Sequence, residues 1–465
     1  MKDIDNNKLI EQLLERIEKL EAIIAEQAER IKQLEERLAK NSKNSSKPPS
    51  SDGLGKGSPK PRSLRKKTNK KSGGQKGHKG NTLIQKSQPD SIVKHELKEC
   101  LHCLGSLKNE RSKTHIKRQV FDVPPPRMHV TEHQAEIKIC PHCCKKNTAT
   151  FPKEVSAPVQ YGHNIRAMIV YLKQYQLLPE ARLKQLLMDI FGVRISTATI
   201  EQVSQLAYTN LDDFEQNTLQ NILDSKLKHL DETGFRVKAK MHWLHVASDN
   251  GWTYFHVSAK RKSLLSDLTG AIVHDHWKPY FQIENVVHVL CNAHHLRELN
   301  ARIDEKEHWA HQMKRWLNFA LALKYYFGEN GVPMKKQLRL LALYDVIVDR
   351  GLKFHNTLSP LPSYSKKRGR KAKRKGHNLL LRFKHYKEDA TRFITDWQIP
   401  FTNNHAEQEL RMMKVQQKIS GGFRSFTGAE IFARLRSFIS TARKQGWDIF
   451  KSLKLAVKST FIIPA

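Results

Sequence analysis

Three short acidic segments, far apart in the chain, hold the side chains best suited to chemistry. Asp231 ends a strand-like run at 227–230, and Asp275 follows a second run at 271–274. Glu407 falls early in a segment whose apolar residues recur at helical spacing. Two strand ends and a helix can place three carboxylates around two divalent ions, which stabilise the attacking and leaving oxygens of a phosphodiester displacement. Because carboxylates suit hard cations, the pattern predicts two Mg²⁺ (or Mn²⁺) ions per active site.

Three neighbouring acids, Glu232, Asp249 and Glu409, compete for the same roles. Side chains alternate along a strand, so Glu232 should point away from Asp231. Glu409 lies two residues from Glu407 and therefore on another helix face. A lone aspartate after a strand is usually a turn or cap residue, which is the alternative for each aspartate.

Polar residues beside the acids have simpler predicted roles. Asn404 precedes a helical run and is predicted to cap it, with orientation of the metal or of DNA as the alternative. His294 and His295 are predicted to be structural, with contact to DNA or the site as the alternative. Gly421-Gly422 predicts a break between two helices.

The charge of the chain favours a polyanionic partner. It has 81 Lys and Arg against 46 Asp and Glu, a formal net charge of +35, which suits double-stranded DNA. With no apolar leader and no run of membrane-spanning length, a membrane role is not expected. The predicted DNA contacts lie in a basic segment, in a basic loop and near Glu407: Lys66, Lys67, Lys70, Lys71, Lys366, Lys367, Arg368, Arg370, Lys371, Arg411 and Arg424.

Two Cys-x-x-Cys pairs predict a structural metal. Cys100 and Cys103 form the first pair, and Cys140 and Cys143 form the second. Four thiolates at this spacing can bind one structural Zn²⁺ tetrahedrally, as in a zinc ribbon. Cys144 is predicted to lie outside the ligand set. The alternative is a set of reduced, buried cysteines.

The amino-terminal segment shows a sustained heptad, with Ile10, Ile17, Ile24, Ile31 and Leu38 at one seam position and Leu13, Leu20, Gln27 and Leu34 at the other. Isoleucine at a and leucine at d favour a parallel two-stranded coiled coil, which would make the protein self-associate. The alternative is an amphipathic helix packed on its own chain.

The remaining sequence predicts a multidomain protein. Residues 1–44 are the coiled coil, 45–90 a basic disordered linker and 91–160 the zinc-ribbon domain. Residues 161–220 are helical; helix, Gly192 turn and second helix fit either a helix-turn-helix or an ordinary helical hairpin. An α/β catalytic domain at 221–445 has a helical insertion at about 293–380, and 446–465 form a tail.

Within the catalytic domain, apolar runs at 226–230, 243–248 and 253–258 predict a three-stranded meander. A short helix near 264–268 then leads to strands at 271–274 and 286–290. This order predicts a mixed α/β sheet.

The chain resembles the insertion-sequence-66 transposase family in the order of these parts. The most specific matches are the segments 403–411, 417–425 and Cys291-Asn-Ala-His294-His295-Leu-Arg297. The resemblance implies an RNase H-like fold with an Asp-Asp-Glu triad at Asp231, Asp275 and Glu407. It also implies accessory proteins of the same element as partners.

The predicted function is therefore that of a DNA transposase. It would bind transposon ends, hydrolyse a phosphodiester to free a 3′-hydroxyl, and join that end to target DNA by a two-metal mechanism. The expected location is the prokaryotic cytoplasm, in association with the nucleoid. The alternatives are a catalytically inactive or repurposed DNA-binding protein derived from a transposase, and a nuclease that only hydrolyses.

Overall fold

The structure, a computed structural model, describes residues 2–41, 44, 77, 83–123, 126–359 and 373–458. The predicted DNA contacts at 66–71 and 366–371 lie outside these residues. The first element, helix α1 (Lys2–Leu38), spans the predicted heptad. The apolar seam residues are 49–80 % exposed on this chain: Ile10, Leu13, Ile17, Leu20, Ile24, Ile31, Leu34 and Leu38. The helix is confirmed, and its pairing with a second copy stays a prediction.

Two small hairpins follow in the cysteine-rich region. Strands β1 (Ile137–Ile139) and β2 (Lys146–Thr148) pair antiparallel around the second cysteine pair. An isolated antiparallel bridge between Glu99 and Ser106 encloses the first.

Helices dominate from residue 163 to 224. Helix α2 (His163–Val170) runs into a π-helical turn, Tyr171–Tyr175, and is followed by α3 (Glu180–Phe191), α4 (Thr197–Asn210) and α5 (Asp212–Asp224). Helix α3 ends at Gly192, whose φ of 66° is left-handed and suits glycine. Helix α4 is capped by Ser196, whose hydroxyl accepts the amide N–H of Thr199 at 3.0 Å.

The central sheet contains β3 (Leu227–Val237), β4 (Lys240–Ser248), β5 (Thr253–Ser258), β6 (Gly270–His274) and β7 (Val286–Leu290). Its strand order is β5-β4-β3-β6-β7. Strands β3 to β5 form the predicted antiparallel meander, and β6 and β7 run parallel to β3. The expected mixed α/β sheet is confirmed.

Strand β3 extends further than the sequence predicted. It does not end at Leu230 but continues to Val237, because Asp231 and the residues after it pair with β4 from Val246 back to Lys240. Only Lys238 and Ala239 connect the two strands, with φ of 46° and 64°. Two residues at positive φ match the tight turn that favours a twisted hairpin.

The predicted helix near 264–268 is wrong. These residues form no helix. Leu264 and Leu265 pack as loop residues against a cluster that contains Leu230 and Tyr280. Their apolar character reflects this burial rather than helical periodicity. A short 3₁₀ helix, Lys278–Gln282, instead follows β6.

A helical layer follows the sheet. It contains α6 (Asn292–Asp304), α7 (His308–Phe327), α8 (Met334–Thr357), α9 (Lys375–His385) and α10 (Lys387–Thr395), with a 3₁₀ turn at Gly328–Asn330. Its core is built around buried Trp309, Trp316, Tyr344 and Phe383. Val273 of β6 and Val289 of β7 belong to the same core. The helical layer therefore packs on the face of the sheet to which Val273 and Val289 point.

Three final helices pack against earlier parts of the chain. They are α11 (Asn404–Ser420), α12 (Phe426–Lys444) and α13 (Ile449–Ala456). The predicted break at Gly421-Gly422 separates α11 from α12. Helices α12 and α13 share one core with α2 to α4, so residues 449–457 pack into the protein although the sequence predicted a tail. Among the described residues, no helix is long and apolar enough to cross a bilayer.

Candidate active site

Asp231 lies in the middle of β3, on the sheet face that receives α11. Alternate residues of the strand, Phe235 and Val237, pack there against Ala406 and Leu410 of α11. The carboxylate Oδ1 of Asp231 accepts the N–H of Glu232 at 2.9 Å. Burial, followed by the negative charges of Glu232, Asp275 and Glu407, holds the pKa of Asp231 well above its usual value.

Asp275 directly follows β6, next to β3. The parallel register pairs His229 with Val273, and each aspartate lies two residues further along its strand. Oδ1 of Asp275 accepts the backbone N–H of Trp277 at 2.8 Å. Burial raises the pKa of Asp275, and the Trp277 hydrogen bond partly offsets that rise.

Glu407 lies in the first turn of α11, with its side chain 24 % exposed. Its Oε1 atom is 3.4 Å from Arg297 Nη2 and 3.9 Å from His294 Nδ1. Glu409 instead lies 3.8 Å from Lys444, on another face of the helix as predicted. Glu407 therefore faces α6, whereas Glu409 faces the end of α12.

Asn403, not Asn404, fixes the start of α11. The N-cap position belongs to Asn403, and its side chain caps no helix N–H. It lies 2.8 Å from His229 Nδ1 and donates to the carbonyl of Leu230 at 2.7 Å. Asn403 is 1 % exposed. The predicted capping role of Asn404 is wrong, because the neighbouring asparagine is used to lock the helix onto β3.

The three predicted catalytic carboxylates share one region of the protein. Asp231 is subject to the charges of both Asp275 and Glu407, which requires proximity. Their oxygens do not all lie within 4.8 Å of one another, and among the described residues one other group of ligand atoms does. That group is Cys291, His294 and Glu407.

Sequence reasoning missed the network around Glu232. The Glu232 side chain is 2 % exposed and is 2.5 Å from Arg261 Nη2. Tyr280 donates its hydroxyl hydrogen to the other carboxylate oxygen of Glu232. The Arg261 guanidinium stacks 4.9 Å from the Trp243 ring and 4.2 Å from the Trp277 ring. Nothing in the local sequence distinguishes Arg261 from Lys260 and Lys262.

Of the two predicted structural histidines, only His295 is deeply enclosed. It is 2 % exposed, with Nδ1 2.9 Å from Asn292 Oδ1 and its ring against Phe383. His294 faces Glu407, and burial, with the Arg297 charge, lowers its pKa to about 4. The Cys291-x-x-His294 spacing at the start of a helix is a sequence signal from which these two residues could have been considered as ligands.

The two predicted zinc-binding turns have matching backbones. The N–H of Leu104 donates to the carbonyl of Cys100 at 3.0 Å, and that of Cys144 donates to Cys140 at 2.9 Å. Leu104 and Cys144 both have positive φ, 59° and 53°. Backbone N–H groups lower the pKa of the Cys100 and Cys140 thiols. Cys144 therefore occupies the position in the second turn that Leu104 occupies in the first. Since Leu104 cannot bind zinc, this equivalence supports the prediction that Cys144 is not a ligand.

The four predicted zinc ligands are not joined in one cluster. All six cysteines are free, and Cys103 and Cys143 are exposed. Within the part of the chain that the structure describes, no three ligand atoms within 4.8 Å of one another come from these turns. Each turn is formed, while their meeting stays a prediction.

A basic cavity adjoins the end of α11. It has a volume of about 460 Å³ and is lined by Arg236, Lys238 and Arg424, together with the 421–423 backbone. The Phe423 N–H donates to the Arg236 carbonyl at 2.9 Å. A Cβ on Gly422 would lie 2.6 Å from that carbonyl oxygen, so only glycine permits the approach. Arg411 is exposed on α11.

Two family models match parts of the chain. The family model described as "Transposase IS66 family" matches residues 158–431, more than half of the chain and a range that includes all three predicted catalytic acids. Residues 2–83 match a family of unknown function, DUF6444. No curated protein matches the chain. Since the first match covers the whole sheet together with α11, the chain belongs to the IS66 family of transposases.

Proposed function

We propose that this transposase cuts and joins DNA with an Asp-Asp-Glu site formed by Asp231, Asp275 and Glu407. The convergence of these acids on β3, the end of β6 and the first turn of α11 carries the proposal. The strand order, with an antiparallel meander followed by two parallel strands, supports an RNase H-like catalytic domain.

The donor set fits two hard divalent cations, Mg²⁺ or Mn²⁺. Asp231 and Asp275 offer oxygen only and have raised pKa values, because burial and neighbouring carboxylates penalise their charged forms. A cation placed among them relieves that penalty. When bound, such ions supply Lewis acidity and stabilise the charge that develops at the reacting phosphate.

The residues of the chain have distinct tasks in this reaction. Asp231 is held in place because its backbone pairs with Val246 of β4, and β3 also pairs with β6 up to His229, two residues earlier. Arg297 orients Glu407 from α6. Glu232, tied to Arg261 and Tyr280, connects β3 to the segment after Asp275. The protein thereby fixes the spacing of the acids before DNA arrives.

DNA contact is assigned to cationic surfaces. Arg236, Lys238 and Arg424 surround the basic cavity, and Arg411 is exposed on the helix of Glu407. Phosphates attract such groups irrespective of base sequence. The basic residues at 66–71 and 366–371 are proposed as further contacts on charge alone. Helices α3 and α4 are candidates for binding the transposon ends.

The amino-terminal regions are assigned to assembly. Cys100, Cys103, Cys140 and Cys143 would hold one structural Zn²⁺, for which the two matching turns are prepared. The exposed apolar seam of α1 would pair with a second copy of the chain. A dimer could then bind two transposon ends at once. Accessory proteins of the same element would assist it, and the reaction would take place on DNA in the prokaryotic cytoplasm.

The test is transposition of the complete element in a bacterial host, with single substitutions in this chain. Glu407→Gln should lower the frequency about 10³-fold or more, since several kcal/mol of charge stabilisation are lost. Glu409→Gln is the matched control, on the same helix but paired with Lys444. Retained transposition in Glu407→Gln would refute the triad. Cut ends without joined products would indicate a nuclease.

A further inference from the structure

A sulfur, a ring nitrogen and a carboxylate oxygen meet beside the proposed catalytic site. Ligand atoms of Cys291, His294 and Glu407 lie within 4.8 Å of one another, and the described residues contain no other such group. These donors differ from the all-carboxylate set. Thiolate and imidazole favour zinc-like cations, whereas Mg²⁺ prefers oxygen.

Cys291 is held in place from two sides. Its N–H donates to the His274 carbonyl at 2.9 Å, at the end of β6. Its Sγ accepts the backbone N–H of Asn403 at 3.1 Å, immediately before α11. The residue is 2 % exposed and occupies the N-cap position of α6. Burial, followed by the Glu407 charge, raises the pKa of the Cys291 thiol to about 12, so a cation must displace the thiol proton before the sulfur binds as a thiolate.

His294 provides a second, independent indication of a ligand. Its Nδ1 atom is buried and has no hydrogen-bond partner among the described residues. The same atom lies 3.9 Å from Glu407 Oε1. A buried ring nitrogen without a partner is costly, and coordination of a cation would satisfy it. Cys291 and His294 are three residues apart, at the start of one helix, so neither needs a large movement.

We propose that Cys291, His294 and Glu407 bind one soft divalent cation of the zinc class, and that this binding turns the enzyme off. Three protein ligands leave a fourth position for water. Binding releases the thiol proton to solvent. Glu407 would then bind the soft cation and would no longer be available as a ligand for the two Mg²⁺ ions. The inhibitory consequence rests on the proposed function of Glu407, whereas cation binding does not.

The binding test titrates Co²⁺ into the full-length, metal-free protein and records thiolate-to-cobalt absorption. Cys291→Ser and His294→Gln should each bind one equivalent less than wild type. Cys144→Ser, which removes an exposed thiol, is the control and should match wild type. Cys291 is buried, so Cys291→Ser could fail to fold. The His294 side chain is 22 % exposed, so His294→Gln should fold and then provides the test of the site. Unchanged stoichiometry in His294→Gln would overturn the site.

The functional test adds Zn²⁺ to DNA cleavage supported by Mg²⁺. His294→Gln should raise the half-inhibitory Zn²⁺ concentration at least about tenfold relative to Cys144→Ser. An unchanged value would overturn the inhibitory role. Cleavage retained by Glu407→Gln would instead count against the catalytic triad, and the Co²⁺ stoichiometry would still report on the cation site.

Discussion

The hydroxyl of Tyr280 donates a hydrogen bond to Oε2 of Glu232, across 48 residues of sequence. Tyr280 belongs to the short helix after Asp275, and Glu232 follows Asp231 on β3. This bond therefore links the two segments that carry the proposed catalytic aspartates. Both side chains are almost fully enclosed, so no water replaces either partner cheaply.

Removing the Tyr280 hydroxyl should weaken both stability and catalysis. Tyr280→Phe leaves a buried carboxylate oxygen without its donor and should lower the free energy of unfolding by about 1–3 kcal/mol. Looser spacing of the aspartates should slow DNA cleavage at least about tenfold. Denaturant unfolding and a cleavage time course measure the two effects. Tyr326→Phe, at a tyrosine that is 78 % exposed, should change neither. Normal values for both in Tyr280→Phe would contradict the linking role.

Asp231→Asn should stabilise the metal-free protein near neutral pH. The raised pKa of Asp231 means that the folded state favours the protonated carboxyl. Its contribution to stability is full below the unfolded pKa of about 3.9 and is lost as pH rises through the folded pKa. The neutral amide should recover about 0.5–2 kcal/mol.

Thermal unfolding with and without Mg²⁺ tests this trade-off. Wild type should gain stability with Mg²⁺, whereas Asp231→Asn should gain much less, since a ligand is missing. Asp349→Asn, at an exposed carboxylate on α8, is the control. If Asp231→Asn is less stable than wild type in the metal-free state at neutral pH, then burial and neighbouring negative charges do not destabilise the charged form of Asp231.

Arg424→Ala should reduce the salt dependence of DNA binding. Arg424 lines the basic cavity with Arg236 and Lys238, and each neutralised phosphate contributes about −0.9 to the slope of log K against log salt. Fluorescence anisotropy on duplex DNA at several salt concentrations should therefore give a shallower slope for the variant than for wild type. Arg339→Ala, at an exposed arginine on α8, is the control. An unchanged slope would exclude the cavity from DNA binding.

Cys100→Ser should remove one equivalent of zinc from the purified full-length protein. Zinc bound by all four thiolates should hold the two cysteine turns together and protect residues 91–155 from proteolysis. Elemental analysis and limited proteolysis measure these effects. Cys144→Ser should retain both the zinc and the protection. Equal zinc content in the two variants would rule out Cys100 as a ligand.

Ile17→Asp should dissociate the proposed dimer. Ile17 is 50 % exposed on the seam of α1, and a charge there cannot be buried against a second helix. Sedimentation equilibrium should show a shift from dimer to monomer. Lys8→Asp changes the charge on the opposite, outer face of the helix and should leave the mass unchanged. A dimer that survives Ile17→Asp must form elsewhere.

Local patterns were enough to predict several elements. The heptad gave α1, and alternating or apolar runs gave the meander and the strands β6 and β7, because each element's own sequence determines its period. The end of β3 was missed because its last residues are held by pairing with β4. Loop residues Leu264 and Leu265 were misassigned because burial beside Tyr280 makes them apolar.

The site was predictable in part. Its three acids were named from strand ends, a helical pattern and the resemblance. Cys291 was not singled out as a ligand, because the contact that defines it comes from Asn403, 112 residues away. Likewise, the role of Asn403 depends on His229, 174 residues earlier. Tertiary contacts of this kind leave no periodic trace in the sequence.

The contacts between Asn403 and β3 can form only late in synthesis, because the ribosome makes Asn403 long after β3. At about 5–20 residues per second, the ribosome makes Asp231 on the order of ten seconds before it reaches the segment that carries Glu407. A chain that stops earlier possesses the amino-terminal regions and two acids, but lacks the third. Under the proposed mechanism, such a fragment has no complete site and cannot break DNA. Premature termination would therefore yield a chain without nuclease activity, in which α2 to α4 also lack the packing that α12 and α13 provide.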